Sequence, residues 1–232
     1  MILSSNQPYF LPYLAYWQLI HVADRFLIGD DFAFMKGGWI PRNRILLRGE
    51  PYFMRMEISH KSCNKLICDT YLAPVRVEDK LKTLEMAYHK APYFAPGYAL
   101  AERIILHPER NLSLFLEYSL REVCAYLGIT TPIGHTSDLE GNRQFKREER
   151  IYDFCHRLGA DTYVNPIGGR SLYHKEDFAR QGIRLLFLQS GLPPYPQFGG
   201  PFVEKLSILD AIMFNSREQL HEMLDQYTLI DG

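Results

Sequence analysis

Two adjacent carboxylates, Asp30 and Asp31, follow a short apolar run, Phe26-Leu27-Ile28, and precede Lys36, Trp39, Arg42 and Asn43. A carboxylate within hydrogen-bond reach of an amine or hydroxyl can take its proton and act as general base. Lys36 and Arg42 carry the charge to hold a diphosphate, Arg42 with a bidentate fork. An acidic turn paired with the basic residues after it would use the same side chains without any chemistry, and both readings stay open. Upstream, Asn6 and Gln7 end another apolar run and lead into Pro8-Tyr9-Phe10-Leu11-Pro12-Tyr13. Pro8 pushes Gln7 toward extended geometry, and Pro12 fixes how the chain starts the next helix. Backbone amides at that helix start favour a phosphate or carboxylate. The turn lacks the glycines of phosphate-cradling loops, so a rigid connection with Gln7 bonded to a neighbouring loop is the alternative.

A third constellation is Asn165-Pro166-Ile167-Gly168-Gly169-Arg170-Ser171-Leu172-Tyr173. Gly168 and Gly169 let the backbone come close to a ligand, with Arg170 and Tyr173 beside them; a tight turn is the plainer use of a glycine pair. In Leu206-Ser207-Ile208-Leu209-Asp210, Ser207 reads first as a helix N-cap and Asp210 as its partner in a box-like cap. His89 and Lys90 lie where polar and aromatic residues mix at a helix end, and join the candidate binding set. The eight histidines are scattered without paired metal spacing, and no nucleophile elbow is present.

These residues need strands to carry them. A short apolar strand leading into the turn between Pro8 and Pro12 and a second one, Phe26-Leu27-Ile28, flank an amphipathic helix, residues 13 to 23, with Leu14, Trp17, Ile20 and Val22 on its apolar face. Gly49-Glu50-Pro51 breaks two apolar runs and predicts a hairpin. Helical periodicity over 77–88, 96–106, 112–127 and 147–158 is followed by strands at 161–164 and 183–188, then helices at 206–213 and 218–224. This order predicts one α/β domain over residues 1–232, with a mainly parallel sheet flanked by helices and a helical insertion around residues 75–127. In such a sheet the strand ends share one edge, and ligands bind in the crevice there. Gln7, one of Asp30 and Asp31, Arg42, Asn43 and the Gly168-Gly169 loop are expected around one cleft.

The hydrophobic fraction of 47% with 23% charged residues supports a sizeable core. A net charge of −1 argues against a general grip on nucleic acid. The four cysteines form no CxxC pair, which excludes the usual zinc frameworks and predicts free thiols. The chain starts at once with a strand, and no apolar run approaches the ~20 residues that span a bilayer. A reducing cytoplasm is the expected compartment.

Asn6-Gln7-Pro8-Tyr9-Phe10-Leu11-Pro12-Tyr13, Asp30-Asp31, Trp39, Arg42-Asn43-Arg44 and Tyr88 with Lys90-Ala91-Pro92-Tyr93-Phe94 occur in this order in WbqC-like proteins. Leu158-Gly159-Ala160-Asp161-Thr162-Tyr163, Gly168-Gly169 and Leu206-Ser207-Ile208-Leu209-Asp210 extend the resemblance over nearly the whole chain. Pro41 departs from it, standing where the pattern has a polar residue. The resemblance implies a place in bacterial surface-polysaccharide biosynthesis, of O-antigen or capsule type. Amide formation on a nucleotide-linked amino sugar, by acyl or aminoacyl transfer, is the reaction it suggests. Asp31 or Asp30 would deprotonate the sugar amine, and Arg42 and Lys36 would bind the diphosphate. Gln7 and Asn43 would orient the donor or sugar, under the Gly168-Gly169-Arg170 loop. Asn6, Trp39, His89, Lys90, Tyr173, Ser207 and Asp210 complete the expected substrate set. No cofactor is assigned, and a thioester, an aminoacyl ester and an adenylate made with ATP all remain open as donors. A non-catalytic subunit that binds a sugar nucleotide or glycan precursor needs the same cleft without a base.

Overall fold

The computed structural model describes residues 1–59 and 65–232. Its centre is a six-stranded sheet with strand order β5-β2-β1-β6-β7-β8. The strands are β1 (Ile2–Asn6), β2 (Arg25–Ile28), β5 (Ile133–His135), β6 (Thr162–Pro166), β7 (Arg184–Ser190) and β8 (Tyr227–Asp231). All pairs are parallel except β7 with β8. Alternation along each strand sends side chains to opposite faces. Phe26, Ile28, Val164, Leu186 and Leu188 face the larger core, while Leu3, Leu27, Tyr163, Leu185 and Phe187 face the smaller one.

The larger core is covered by α1 (Leu14–Val22), α8 (Arg217–Leu224) and the helical insertion, α2 (Glu78–Tyr88), α3 (Phe94–Ile105) and α4 (Leu112–Leu127). With α7 (Ile208–Phe214), these helices bury Trp17, Leu100, Phe115, Leu120 and Ile212 completely. The smaller core lies under α5 (Glu148–Leu158) and α6 (Lys175–Arg180), through Ile151, Phe154 and Phe178. The hairpin of β3 (Arg42–Leu47) and β4 (Glu50–Arg55) stands apart as its own two-stranded sheet. Its loop is Arg48-Gly49, both at positive φ (55° and 81°). That mirror-image turn matches the twist of the strands it joins, and a glycine at its second position relieves the strain.

Three strand and helix segments go beyond the sequence reading. β5 is only three residues long, α6 six, and β8 pairs antiparallel after the last helix. Cys68, Cys124 and Cys155 are free thiols; Cys63 lies outside the described residues. Burial holds the Cys68 thiol up at about 11 and pushes those of Cys124 and Cys155 up to about 12. Among the described residues, no helix is long and apolar enough to cross a membrane.

The topology fixes where a ligand can sit. From β1 the chain moves through α1 to β2 on one side, while β6, on β1's other side, leads on to β7. The sheet's direction of growth reverses between β1 and β6, so a crevice opens beyond their carboxyl ends.

Candidate functional site

The turn after β1 is held at almost every carbonyl. Gly29 N–H donates to Asn6 O at 2.8 Å, and Tyr16 Oη donates to Gln7 O at 2.9 Å. Asn43 Nδ2 donates to Phe10 O (3.3 Å) and Leu11 O (2.9 Å), where Ser207 Oγ also donates at 2.9 Å. Trp17 Nε1 and the Ile208 N–H both donate to Pro12 O at 3.0 Å. These bonds hold Leu11 at φ 45°, a left-handed conformation that a branched side chain rarely adopts. With the backbone so fixed, the loop presents Asn6, Gln7, Tyr9 and Tyr13 to the crevice.

The crevice is a cleft of about 470 Å³. The segment after β1 lines it with Asn6, Gln7, Tyr9 and Tyr13, and the segment from the end of β6 onward with Asn165, Gly168, Gly169 and Tyr173. Arg147 and Arg150 come from the first turn of α5 and the residue before it, and Ser5 and Tyr163 share a 2.8 Å hydroxyl contact in the lining. Carboxamides donate and accept, phenols offer a flat face with a polar tip, and two guanidinium groups donate only. No carboxylate, imidazole or thiol lies among the described lining residues. This lining suits a polyhydroxylated and anionic ligand.

Gly169 belongs to this geometry for a steric reason. A Cβ there would overlap the Asn165 carboxamide, which occupies the space that glycine leaves. Gly169→Ala should turn Asn165 out of the cleft, at about 1 kcal/mol of ligand binding for one lost hydrogen bond, roughly fivefold in Kd. Titration calorimetry, with a thermal melt to show that the fold is intact, checks this; an unchanged Kd would remove Asn165 from the site.

Asp30 and Asp31 follow β2 but lie beyond its last paired residue, so strand alternation does not choose between them. Both are buried against protein partners. Asp30 Oδ2 accepts from Ser113 Oγ and Ser137 Oγ at 2.9 Å each and lies 2.8 Å from His135 Nδ1. Burial raises the Asp30 carboxyl, but the His135 bond and charge and the two serine bonds outweigh it and leave it below the usual Asp range. Asp31 Oδ1 accepts from Thr136 Oγ1 at 2.6 Å, and its Oδ2 accepts from Arg150 Nη2 at 2.6 Å. Neither carboxylate lines the main cleft; Asp31 reaches it only through Arg150, and otherwise lines a smaller cavity with Cys68, Asp69 and Arg143. Among the described residues, no group of three His, Cys, Asp or Glu side chains is placed to hold a metal ion.

The WbqC-like protein family matches residues 7–222. The chain belongs to that family. It is also 29% identical over 218 residues to the uncharacterized protein Rv1507c of Mycobacterium tuberculosis, covering 92% of each chain. No solved structure matches.

The residues expected at the site divide between cleft and scaffold. Asn6, Gln7, Gly168, Gly169 and Tyr173 meet at the cleft. Asn43 is spent inside, on the loop carbonyls, with its own Oδ1 taking the Arg44 N–H. Arg42 turns back on its own loop, bonding the Gly37 and Gly38 carbonyls and stacking 4.6 Å from the Phe53 ring centroid. Trp39 packs on Phe53 at 5.7 Å, and Lys36 is exposed nearby; none of the three lines the cleft. His89 and Lys90 are exposed at the end of α2, with His89 Nδ1 3.1 Å from Glu85 O. Arg170 is exposed on the 3-10 turn Ile167–Leu172 and is not on the cleft wall. Ser207 caps α7, and Asp210 is a buried acceptor for Tyr88, Tyr195 and Gln197. The cleft's arginines, Arg147 and Arg150, went unread in the sequence. Their one signal was Arg150 on the apolar face of a helix beside Ile151 and Phe154.

Proposed function

We propose that the cleft binds a nucleotide-linked amino sugar of bacterial surface-polysaccharide biosynthesis, the context implied by the WbqC-like family. The observation that carries this reading is the lining at the β1/β6 switch point, where carboxamides and tyrosines share one cleft with two arginines. Asn6, Gln7 and Asn165 fit sugar hydroxyls and an acyl or amine substituent, and the flat tyrosine rings fit the sugar or base.

Amide formation on the sugar amine is the reaction that suits such a ligand, and it needs a proton acceptor near the amine. Asp31, which reaches the cleft through Arg150, has both oxygens engaged, one by Arg150 and one by Thr136, and so neither is turned to a ligand amine. The geometry therefore supports ligand recognition ahead of transfer by this chain alone, with the acyl donor or a transferase supplied separately.

Thermal melts with UDP- and dTDP-linked amino sugars, the free nucleotides and the free sugars test the reading. A ligand at 100 times its Kd should stabilise the protein by about 2.7 kcal/mol, a shift of roughly 5–10 °C at this chain length. No shift with any nucleotide-linked sugar would overturn it. Amide product formed from such a sugar and an acyl thioester would restore the transferase reading.

A further inference from the structure

Arg150 is held unlike any other cation at the cleft. Its guanidinium carbon lies 4.4 Å from the Phe32 ring centroid and 5.7 Å from that of Phe154. Nε donates to Asn142 Oδ1 and Nη2 to Asp31 Oδ2, each at 2.6 Å. Both acceptors are themselves fixed. Asn142 Nδ2 donates to Arg150 O at 3.1 Å and to Asp153 Oδ2 at 2.8 Å, and Asp31 Oδ1 takes the Thr136 hydroxyl. Arg150 is only 8% exposed, yet it lines the cleft, and its Nη1 has no partner among the described residues.

Burying a guanidinium is costly unless its donors are met, and a planar fork held on two edges has little freedom left to lose. A buried arginine with its last nitrogen unmet at a cavity wall is preorganised to donate to an oxygen in that cavity. Arg147, exposed at the start of α5, adds a second positive charge to the lining, and no lining carboxylate opposes them among the described residues.

We infer that Arg150 reads the anionic part of the ligand, donating from Nη1 to a phosphate oxygen, while Asp31 and Asn142 serve as positioning residues that aim it. This deepens the nucleotide-sugar reading and rests on it for the identity of the ligand. It also gives Asp31 a task other than proton transfer.

The test is calorimetric titration of wild type, Arg150→Lys and Arg150→Met with a UDP-linked amino sugar, UDP, uridine and inorganic pyrophosphate, at low and high salt. Arg150→Met should weaken every phosphate-bearing probe by about tenfold or more, the effect of one charge-assisted bond, and leave uridine unchanged. Arg150→Lys keeps the charge and most of the volume without the fork, and should fall between; it remains informative if the methionine variant does not fold. The salt dependence of Kd should flatten in Arg150→Met alone, because only that variant loses the charge. Equal weakening of UDP and uridine, or unchanged UDP affinity in both variants, would overturn the assignment. Wild-type binding of pyrophosphate that depends on Arg150, without any nucleotide-sugar binding, would sink the proposed ligand and leave the anion-reading role standing. Failure of wild type to bind any phosphate-bearing probe would end both.

Discussion

His135→Ala should lower stability by about 2–4 kcal/mol at pH 6, since removing one member of a mostly buried charge cluster leaves the others unpaired. His135 ends β5 and lies between two carboxylates, with Nδ1 2.8 Å from Asp30 Oδ2 and Nε2 3.0 Å from Glu117 Oε2. The imidazolium ties the end of β2 to α4, and so the sheet to its helical insertion. Burial pushes the His135 pKa down, but the bond to Asp30 and the negative charges of Asp30 and Glu117 outweigh it and raise the pKa to about 9. The ordinary value in an unfolded chain is about 6.5. A group raised on folding stabilises fully below its unfolded pKa and loses that contribution as pH climbs through the folded one. Stability from this site should therefore hold to about pH 6.5 and fall away through about pH 9. Asp30 and Glu117 act in the other direction. Their carboxyls are held low despite burial, Asp30 mainly by His135 and Glu117 by Arg121 and His135. Their contribution is present above the ordinary carboxylate range and is lost as pH falls through their depressed values. Urea unfolding at pH 6, 7.5 and 9 reads the result. Wild type should weaken across that range more than His135→Ala does, and parallel curves would refute the cluster's role.

The same cluster shows what a sequence reading can and cannot reach. Asp30-Asp31 stood out as carboxylates placed at a strand end, and the strand was indeed β2. Nothing in the local pattern gave their partners: Ser113, His135 and Arg150 lie 83 to 119 residues away and reach them only through the fold. Helices with sustained 3.6 periodicity, α4 and α5 among them, were legible, since the glycines that end them, Gly128 and Gly159, are local signals; the Asn111 cap of α4 went unread. β5 and β8 were not, because a three-residue strand has no period to read and β8 is fixed by pairing with β7. In the site, Gln7 and Gly168-Gly169 were legible because prolines and glycines limit the backbone around them. Asn43 braces the Phe10 and Leu11 carbonyls from behind and Arg42 bonds its own loop at Gly37 and Gly38, so neither lines the cleft.

Asp210→Ala should cost about 3–5 kcal/mol, because three donors lose their acceptor at once in a dry interior. Asp210 is fully buried on α7 and accepts from Tyr88 Oη at 2.9 Å, Tyr195 Oη at 2.8 Å and Gln197 Nε2 at 2.6 Å. Tyr88 Oη in turn accepts the Leu46 N–H at 2.8 Å, so a single carboxylate gathers α2, β3, α7 and the proline-rich segment at 193–196. Burial pushes the Asp210 carboxyl above the usual Asp range, and the three donors work against that shift. Asp210→Asn preserves the shape and one acceptor oxygen but turns an amide toward a donor, and should cost less, about 1–3 kcal/mol. The consequence reaches the cleft. Ser207 and Ile208, at the start of the same helix, hold the Leu11 and Pro12 carbonyls. A loosened α7 should therefore release the strained turn that presents Gln7, Tyr9 and Tyr13. Ligand affinity and stability should fall together in Asp210→Ala, read by calorimetry and urea unfolding on one preparation. Lost affinity at full stability would instead place Asp210 at the ligand, and lost stability at full affinity would uncouple α7 from the turn.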